Sequence, residues 1–385
     1  MSDPVQALLT VLYETCTQSI LAVKTVPDTQ DIPLETLRTD FLSLLSLVYS
    51  NTTKLSIALN PSTPTYSAAI RPLKDLITHA STLASNASLF LPGVHGRTLT
   101  AEVHSVAKSV LTALEDLARA HLSLITRVPT DADATSRTEE YLSKTAVVHE
   151  LIAQAKAVHP QGLSRSNLDA VRKRWLEHSE TVSDAEAMLE FESFASNDDD
   201  DNDTNEFGDD WDDPELDLGS DKGEHGPEQK QLAKTVRHVL LFLVSALILL
   251  CYQIRPVVYH ASALLKDVYI ALLSPPSSRA QSLPNALLDN LLDSAPPFAA
   301  AVDNLADEIF NTPDNSPELD QSRNEFARAL ATVAGAVKAF WKGKEDPRPA
   351  SDKGSRAYFI DQFTQLNVAA KSVQWTVTSS DADAE

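Results

Sequence analysis

Residues 98–127, TLTAEVHSVAKSVLTALEDLARAHLSLITR, carry the clearest structural signal in the chain. Apolar side chains recur there at alternating spacings of three and four residues, which places them along one face of an α-helix. They are Val103, Val106, Val110, Ala113, Leu117, Ala120 and Leu124. Such a stripe is typical of a helix packed in a bundle, and Pro129 predicts its end. This segment therefore predicts a helical bundle.

Similar helical patterns, separated by prolines, extend in both directions from this segment. The other predicted helices cover 4–25, 33–60, 66–90, 136–158, 165–194, 228–253, 256–273, 283–310, 317–345 and 353–377. Short turns between helices favour antiparallel neighbours. With only 10 Gly among 385 residues, all-β folds and Gly-rich phosphate-binding loops are disfavoured. The expected fold class is all-α, with two antiparallel helical bundles separated by a disordered acidic linker.

The linker is predicted from the sequence at 190–221, EFESFASNDDDDNDTNEFGDDWDDPELDLGSD. This stretch contains fifteen Asp and Glu and no Lys or Arg, in a chain whose formal net charge is −22. Its charges repel one another, and it has too little apolar surface to offset the entropy lost on ordering. The predicted domains are an N-terminal helical bundle at 1–195, a disordered acidic linker at 196–227 and a C-terminal helical bundle at 228–380.

The acidic segment also contains apolar side chains, and alternation of acidic and apolar residues is typical of segments that fold on a partner. We identify Phe207, Trp211, Leu216 and Leu218 as candidate partner-docking residues. The alternative is a spacer that only aids solubility. Ser196 precedes four aspartates after one asparagine, so we identify it as a candidate site for an acid-directed kinase.

One apolar run, VLLFLVSALILLCY at 239–252, could in principle enter a membrane. A helix of this length spans about 21 Å, whereas a membrane crossing needs roughly 20 apolar residues. A buried central helix of the second bundle is therefore the favoured interpretation. A membrane anchor and an exposed docking helix remain the alternatives.

Catalytic and metal-binding signatures are missing from the sequence. It has no P-loop, dinucleotide fingerprint, HExxH, CxxC or GxSxG motif. The two cysteines, Cys16 and Cys251, lie in apolar stretches and are expected to be buried core residues. His104 and His121 fall outside the main stripe of residues 98–127 and are expected to be ordinary surface or boundary histidines. We therefore expect no enzyme activity, no cofactor and no metal site.

The acidic balance also argues against nucleic-acid binding, which depends on Lys and Arg. The one compact basic cluster is Arg172-Lys173-Arg174, which precedes Trp175 on a predicted helix. We interpret it as a solvated helix face, with a nuclear-import signal as the alternative.

The order of these features resembles a known family. A helical N-terminal half is followed by an acidic centre containing Asp209-Asp210-Trp211-Asp212-Asp213-Pro214, then by an apolar helix and a helical C-terminal half. This layout resembles the cyclin-D-binding protein family, also called GCIP or Maid. The resemblance implies an all-helical, non-enzymatic regulator that binds D-type cyclins and dampens cyclin-dependent kinase signalling and transcription. Members are helix–loop–helix-like and have no basic DNA-binding region.

From the resemblance we expect a regulator of cell-cycle progression with partners of the cyclin or cyclin-dependent kinase type. We expect it in the cytoplasm and nucleus, and we expect neither nucleic-acid nor membrane binding. The alternative is a membrane-linked or cytoskeletal helical-bundle scaffold, similar to vinculin-like adaptors.

Overall fold

The computed structural model describes residues 3–24, 32–126, 134–158, 161–195, 254–274, 283–311, 317–341, 346 and 348–372. Every regular element in these ranges is a helix, which confirms the predicted all-α class. The helices are α1 (Asp3–Ala22), α2 (Leu34–Ala58), α3 (Tyr66–Ser88), α4 (Pro92–His95), α5 (Arg97–Thr126), α6 (Ala134–Lys156), α7 (Asn167–Ala195), α8 (Ile254–Leu273), α9 (Asn285–Asn311), α10 (Pro317–Ala339) and α11 (Arg356–Ser372). The predicted linker at 196–227 and the predicted helix at 228–253 lie outside the described residues.

Two local features differ from the sequence-based expectations. The short helix α4 was not predicted, because a single turn after Leu91 has no apolar periodicity of its own. Helix α10 ends at Ala339 instead of 345 and is followed by a turn at 340–341. In contrast, α9 continues through Pro296 and Pro297, as predicted. The adjoining Phe298 is fully buried, and this packing offsets the backbone hydrogen bonds that prolines cannot make.

The chain divides into two compact units. Unit 1 comprises Met1–Trp175 and Pro275–Leu292, and unit 2 comprises Leu176–Ser274 and Asp293–Glu385. Unit 1 thus combines the N-terminal helices with a segment that is distant in sequence. The domain limits predicted from sequence, 1–195, 196–227 and 228–380, follow chain order and stay a prediction.

Helix α5 is the central helix of unit 1. It contacts α1, α3, α4 and α6, so most of its circumference is covered. The predicted stripe lies in the core, with Val106 and Leu124 only partly buried. The buried face is wider than the stripe and also includes Leu99, Ala107, Leu111, Leu114 and Ala118. A helix with neighbours on several sides needs apolar residues beyond one narrow stripe.

Side-chain contacts establish that neighbouring helices of unit 1 are antiparallel. Phe41 near the start of α2 packs edge-on against Phe90, just after α3, with ring centroids 6.2 Å apart. Between α5 and α6, Lys144 forms an ion pair with Asp116 at 3.2 Å. Further along the same pair of helices, His121 lies 5.4 Å from Tyr141 between ring centroids. Later residues of α5 thus contact earlier residues of α6, so these two helices are antiparallel.

The junction between α4 and α5 requires a glycine. Gly96 has a φ of 93°, in the region that residues with a Cβ rarely occupy. A Cβ built there would lie 2.0 Å from Cγ of Asn167. The absence of a side chain lets Asn167 approach closely and accept a hydrogen bond from the backbone N–H of Leu99 at 3.0 Å.

Asp289 of α9 caps the N-terminus of α5. Its carboxylate accepts hydrogen bonds from the backbone N–H groups of Arg97 (2.9 Å) and Thr98 (3.1 Å). It also accepts from the Thr98 hydroxyl at 2.7 Å and the Asn167 side-chain amide at 3.0 Å. Helix N-termini carry unpaired N–H groups and a partial positive charge, and a carboxylate satisfies both. This contact attaches the segment from 275 to 292 to unit 1.

Unit 2 is assembled around aromatic contacts. Phe298 of α9 packs on Phe326 of α10 with ring centroids 5.8 Å apart. Trp341, after α10, lies 5.8 Å from Phe359 of α11. The Tyr358 hydroxyl of α11 donates a hydrogen bond to Asp267 of α8. These contacts connect the helices of this unit.

Helix α8 is the one helix in the described ranges whose length and mean hydropathy, 1.2, would permit a membrane crossing. Half of its most apolar stretch is buried inside the protein. Its fully buried side chains include Val257, Val258, Ala261, Leu264, Leu265 and Val268. The apolar run at 239–252 lies outside the described residues, so its role as core helix or membrane anchor stays open.

Removing the Asp289 cap should destabilise unit 1. In Asp289→Ala, the first N–H groups of α5 and the Asn167 amide lose a buried partner, at a cost of about 1–3 kcal/mol. The matched control is Asn290→Ala, an exposed position of the same helix, which should change stability by less than about 0.5 kcal/mol. Urea unfolding measures both. Equal effects of the two substitutions would contradict the assigned capping role.

The same cap predicts a pH dependence. Burial alone would raise the pKa of Asp289, but hydrogen bonds from Thr98, Asn167 and the Arg97 backbone outweigh it and lower the pKa below 3.8. Because the folded-state pKa is depressed, the stabilisation is present above the unfolded-state pKa and is lost as pH falls through the folded-state pKa. The stability difference between the unmodified chain and Asp289→Asn should therefore shrink below about pH 4. A difference that stays constant down to acidic pH would exclude this linkage.

Candidate protein-binding surface

The site residues predicted from sequence lie outside the described residues. This applies to the docking candidates Phe207, Trp211, Leu216 and Leu218 and to the candidate phosphosite Ser196. They stay predictions, and the surface that follows is built from the described part of unit 1.

An open cleft of about 660 Å³ lies between α2 and α3. Its apolar lining is formed by Ile57, Ala58, Ala68 and Pro72. Ile57 is 71% exposed, whereas its neighbours Leu55 and Leu59 on the main apolar face of α2 are buried. The cleft therefore presents an aliphatic side chain that the fold itself does not cover.

The local chain geometry explains where the cleft forms. Helix α2 ends at Ala58, and Pro61 in the following turn cannot donate a helical hydrogen bond. The backbone N–H of Thr65 returns to the Ala58 carbonyl at 2.7 Å, which brings the start of α3 beside the end of α2. Thr65 lines the cleft and makes no side-chain hydrogen bond to the N-terminus of α3.

Three charged side chains line the cleft: Lys54, Arg71 and Asp75. Arg71 and Asp75 are 4.0 Å apart, and the Arg71 side chain is 93% exposed. Exposed pairs of this kind contribute little, so Arg71 can turn to another carboxylate. The whole range 41–88 contains three cationic residues and a single acid, although the chain has a net charge of −22. The lining of the cleft itself carries two cations and one acid, in a protein that is acidic as a whole.

One polar residue of the cleft is almost fully enclosed. Asn51 is 5% exposed and lines the cleft. An amide in this position offers both a donor and an acceptor to a ligand.

Another face of α2 is covered by α6 through polar contacts. The hydroxyls of Ser56 and Thr145 lie 2.7 Å apart, and Thr53 lies 3.1 Å from His149 Nε2. The Tyr49 ring stacks on His149 with centroids 4.0 Å apart. Burial lowers the pKa of His149. This face is already occupied, whereas the cleft beside α3 is open.

Two buried titratable groups of unit 1, Cys16 and His121, are in their neutral forms. Burial and the nearby Glu115 raise the pKa of Cys16 to about 12, so its thiol stays protonated. Its predicted burial is confirmed, and Cys251 lies outside the described residues. His121 was expected near the surface, but it is 1% exposed and burial lowers its pKa to about 4. It faces the core because the buried face of α5 is wider than the predicted stripe.

The basic run at 172–174 is less solvated than the interpretation as an open helix face implied. Arg172 pairs with Asp169 at 3.0 Å, with both side chains largely buried. Lys173 pairs with Glu102 of α5 at 3.0 Å and donates to the Gln161 carbonyl at 3.3 Å. Lys173 thus connects α7 to α5 and to the turn before α7, whereas the Arg172 pair lies within α7 and Arg174 is exposed.

Sequence reasoning did not single out the residues of the cleft. One signal was available, since Ile57 lies two residues from both Leu55 and Leu59 and therefore on the opposite side of α2 from them. The low acid content of 41–88 was a second signal. These two signals indicate a cleft only when α3 and α6 are known to pack beside α2.

Comparison with known proteins identifies the region that contains the cleft. Residues 40–196 match the family model described as Grap2 and cyclin-D-interacting, N-terminal. No curated protein matches the chain. The matched range includes most of α2 and all of α3 to α7. Residues 40–196 are therefore similar to the N-terminal domain of the Grap2 and cyclin-D-interacting (GCIP) family, the family that the layout of the sequence also resembles.

Proposed function

We propose that this chain is a non-enzymatic, protein-binding regulator of cell-cycle progression that acts through cyclin and cyclin-dependent kinase complexes. The observation that carries the proposal is the match of residues 40–196, whose family description names an interaction with cyclin D. The same proposal implies a cytoplasmic and nuclear protein that does not bind nucleic acid.

The architecture supports a binding role. Packed helices present rigid faces to partners, and the cleft between α2 and α3 leaves an apolar side chain exposed. In the described ranges, no group of three or more His, Cys, Asp and Glu is arranged to hold a metal ion. The buried thiol of Cys16 is protonated and therefore unsuited to nucleophilic attack. The proposed mechanism is thus surface recognition by helix faces and by the acidic segment.

The second candidate function is a membrane-linked scaffold. It is favoured by the length and hydropathy of α8. The burial of half of that helix favours a core role instead. Extraction of cell membranes with alkaline carbonate separates the two candidates, because only an integral anchor keeps the chain in the pellet.

Partner recovery tests the proposed function. We expect native affinity purification of the full chain to recover cyclin or cyclin-dependent kinase subunits, detected by mass spectrometry. If the docking residues act as predicted, deletion of 197–222 and the double substitution Phe207→Ala/Trp211→Ala should both reduce recovery by at least about tenfold, since aromatic side chains dominate the energy of such contacts.

The matched control for this test is Asn202→Ala/Thr204→Ala, which alters polar side chains of the same segment and should leave recovery unchanged. Absence of these subunits from the full-chain sample, with membrane or actin-linked proteins in their place, would overturn the regulator proposal. Full recovery with Phe207→Ala/Trp211→Ala would remove only the assignment of the docking residues.

Ser196 is the proposed phosphorylation site in the acidic segment. An acid-directed kinase should transfer phosphate to it and add about −1.5 to −2 charge at pH 7. Incorporation of labelled phosphate into the full chain should fall sharply in Ser196→Ala. It should persist in Ser220→Ala, whose position is followed by Asp221 and then by a lysine. Equal incorporation in both variants would exclude Ser196 as the main site.

A further inference from the structure

We propose that the cleft between α2 and α3 is a docking site for an acidic peptide segment of a partner protein, which inserts a bulky apolar side chain flanked by carboxylates. The inference deepens the proposed function, because it names the chemistry of a partner segment. It rests on protein binding as the mode of action but does not require that the partner is a cyclin.

The apolar lining supplies the contact for the inserted side chain. Ile57 is 71% exposed and lines the cleft together with Ala58, Ala68 and Pro72. The cleft volume, about 660 Å³, is within the range of about 300–1,000 Å³ that ligand sites occupy. A bulky apolar side chain entering the cleft would cover Ile57, and burial of apolar surface favours association.

Asn51 supplies the contact for the peptide backbone. Asn51 lines the cleft, and its side-chain amide carries both a hydrogen-bond donor and an acceptor. The extended backbone of a peptide carries a carbonyl and an N–H that match the donor and acceptor of this amide.

The charges select acidic over basic peptides. Lys54 and Arg71 line the cleft, and the only acid among its lining residues is Asp75, whose contact with Arg71 is 4.0 Å long. The start of α3 at Thr65 adds the partial positive charge of a helix N-terminus that has no side-chain cap. The end of α2 is less available, because the carbonyl of Ala58 already accepts the N–H of Thr65.

Other anionic ligands fit the cleft less well. The described lining residues include no aromatic side chain on which a nucleobase could stack. A phosphate group alone would use the cations and the N–H donors of the Asn51 amide, but it would leave the aliphatic lining uncovered. An acidic segment with a bulky apolar side chain uses all three features.

The test measures binding of a fluorescent peptide of sequence FGDDWDDPELDL to the full chain by anisotropy at 150 mM salt. This probe carries a tryptophan between pairs of aspartates, as the cleft requires. We expect Lys54→Glu/Arg71→Glu to weaken binding by at least tenfold and Ile57→Ser by at least threefold. The matched control, Lys108→Glu/Arg165→Glu, reverses two exposed cations away from the cleft and should change affinity by less than twofold.

A second probe, FGNNWNNPQLNL, retains the aromatic residues without the charges and should bind at least tenfold more weakly. Equal binding of the two peptides, or equal effects of the cleft and control variants, would overturn the proposal. Equal affinity of the cleft variant and the unmodified chain would also overturn it. Circular dichroism of each variant confirms that the substitutions leave the fold intact.

Because the probe repeats residues 207–218, the chain with 197–222 deleted is measured in parallel. Binding at least tenfold tighter to the deletion variant would show that the chain's own acidic segment competes for the cleft, and would overturn the assignment to a partner. Absence of binding to both forms would also overturn it. The affinity purification of cyclin subunits is measured separately. Its result tests the proposed function independently of the peptide-binding result.

Discussion

The carboxylate of Asp289 at the N-terminus of α5 is the contact on which the organisation of unit 1 depends. Helix α5 packs against four other helices, so the position of its first turn affects the whole bundle. That turn is fixed by a residue about 190 positions later, through hydrogen bonds to Arg97, Thr98 and Asn167. The family match at 40–196 includes neither Asp289 nor α1. A fragment limited to the matched range would therefore lack both the cap of α5 and one of its packing partners.

The helices of this chain could be predicted from sequence because each carries its own periodic pattern. The stripe in 98–127 predicted α5 almost to its ends, and the continuation of α9 through Pro296 and Pro297 was also expected. The attachment of residues 275–292 to unit 1 could not be predicted in this way. In the sequence, Asp289 cannot be distinguished from an exposed acid of α9. Its capping role is recognised only when the N-terminus of α5 is known to lie beside it. Pairing over such sequence separations leaves no local signature.

The candidate site shows the same limit. The sequence analysis selected the aromatic residues of the acidic segment, because they stand out by composition among the surrounding acids. The cleft depends instead on which faces of α2 are covered. Helix α6 covers the face that carries Tyr49, Thr53 and Ser56, while Ile57 stays exposed beside α3. Whether an aliphatic residue is exposed depends on how the helices pack. The sequence pattern alone can show only that Ile57 lies outside the main apolar face of α2.

The net charge of −22 does not prevent the cleft from selecting acidic peptides. At physiological ionic strength, charges separated by more than about 8 Å are largely screened. The most concentrated acidic stretch of the chain is the segment 190–221, whereas the cleft has Lys54 and Arg71 in its lining. A bound carboxylate beside these cations would interact mainly with them, because any acid more than about 8 Å away contributes little through solvent. The net charge should therefore lower the association rate of an acidic partner at low salt. The cations in the cleft lining should instead determine its dissociation rate.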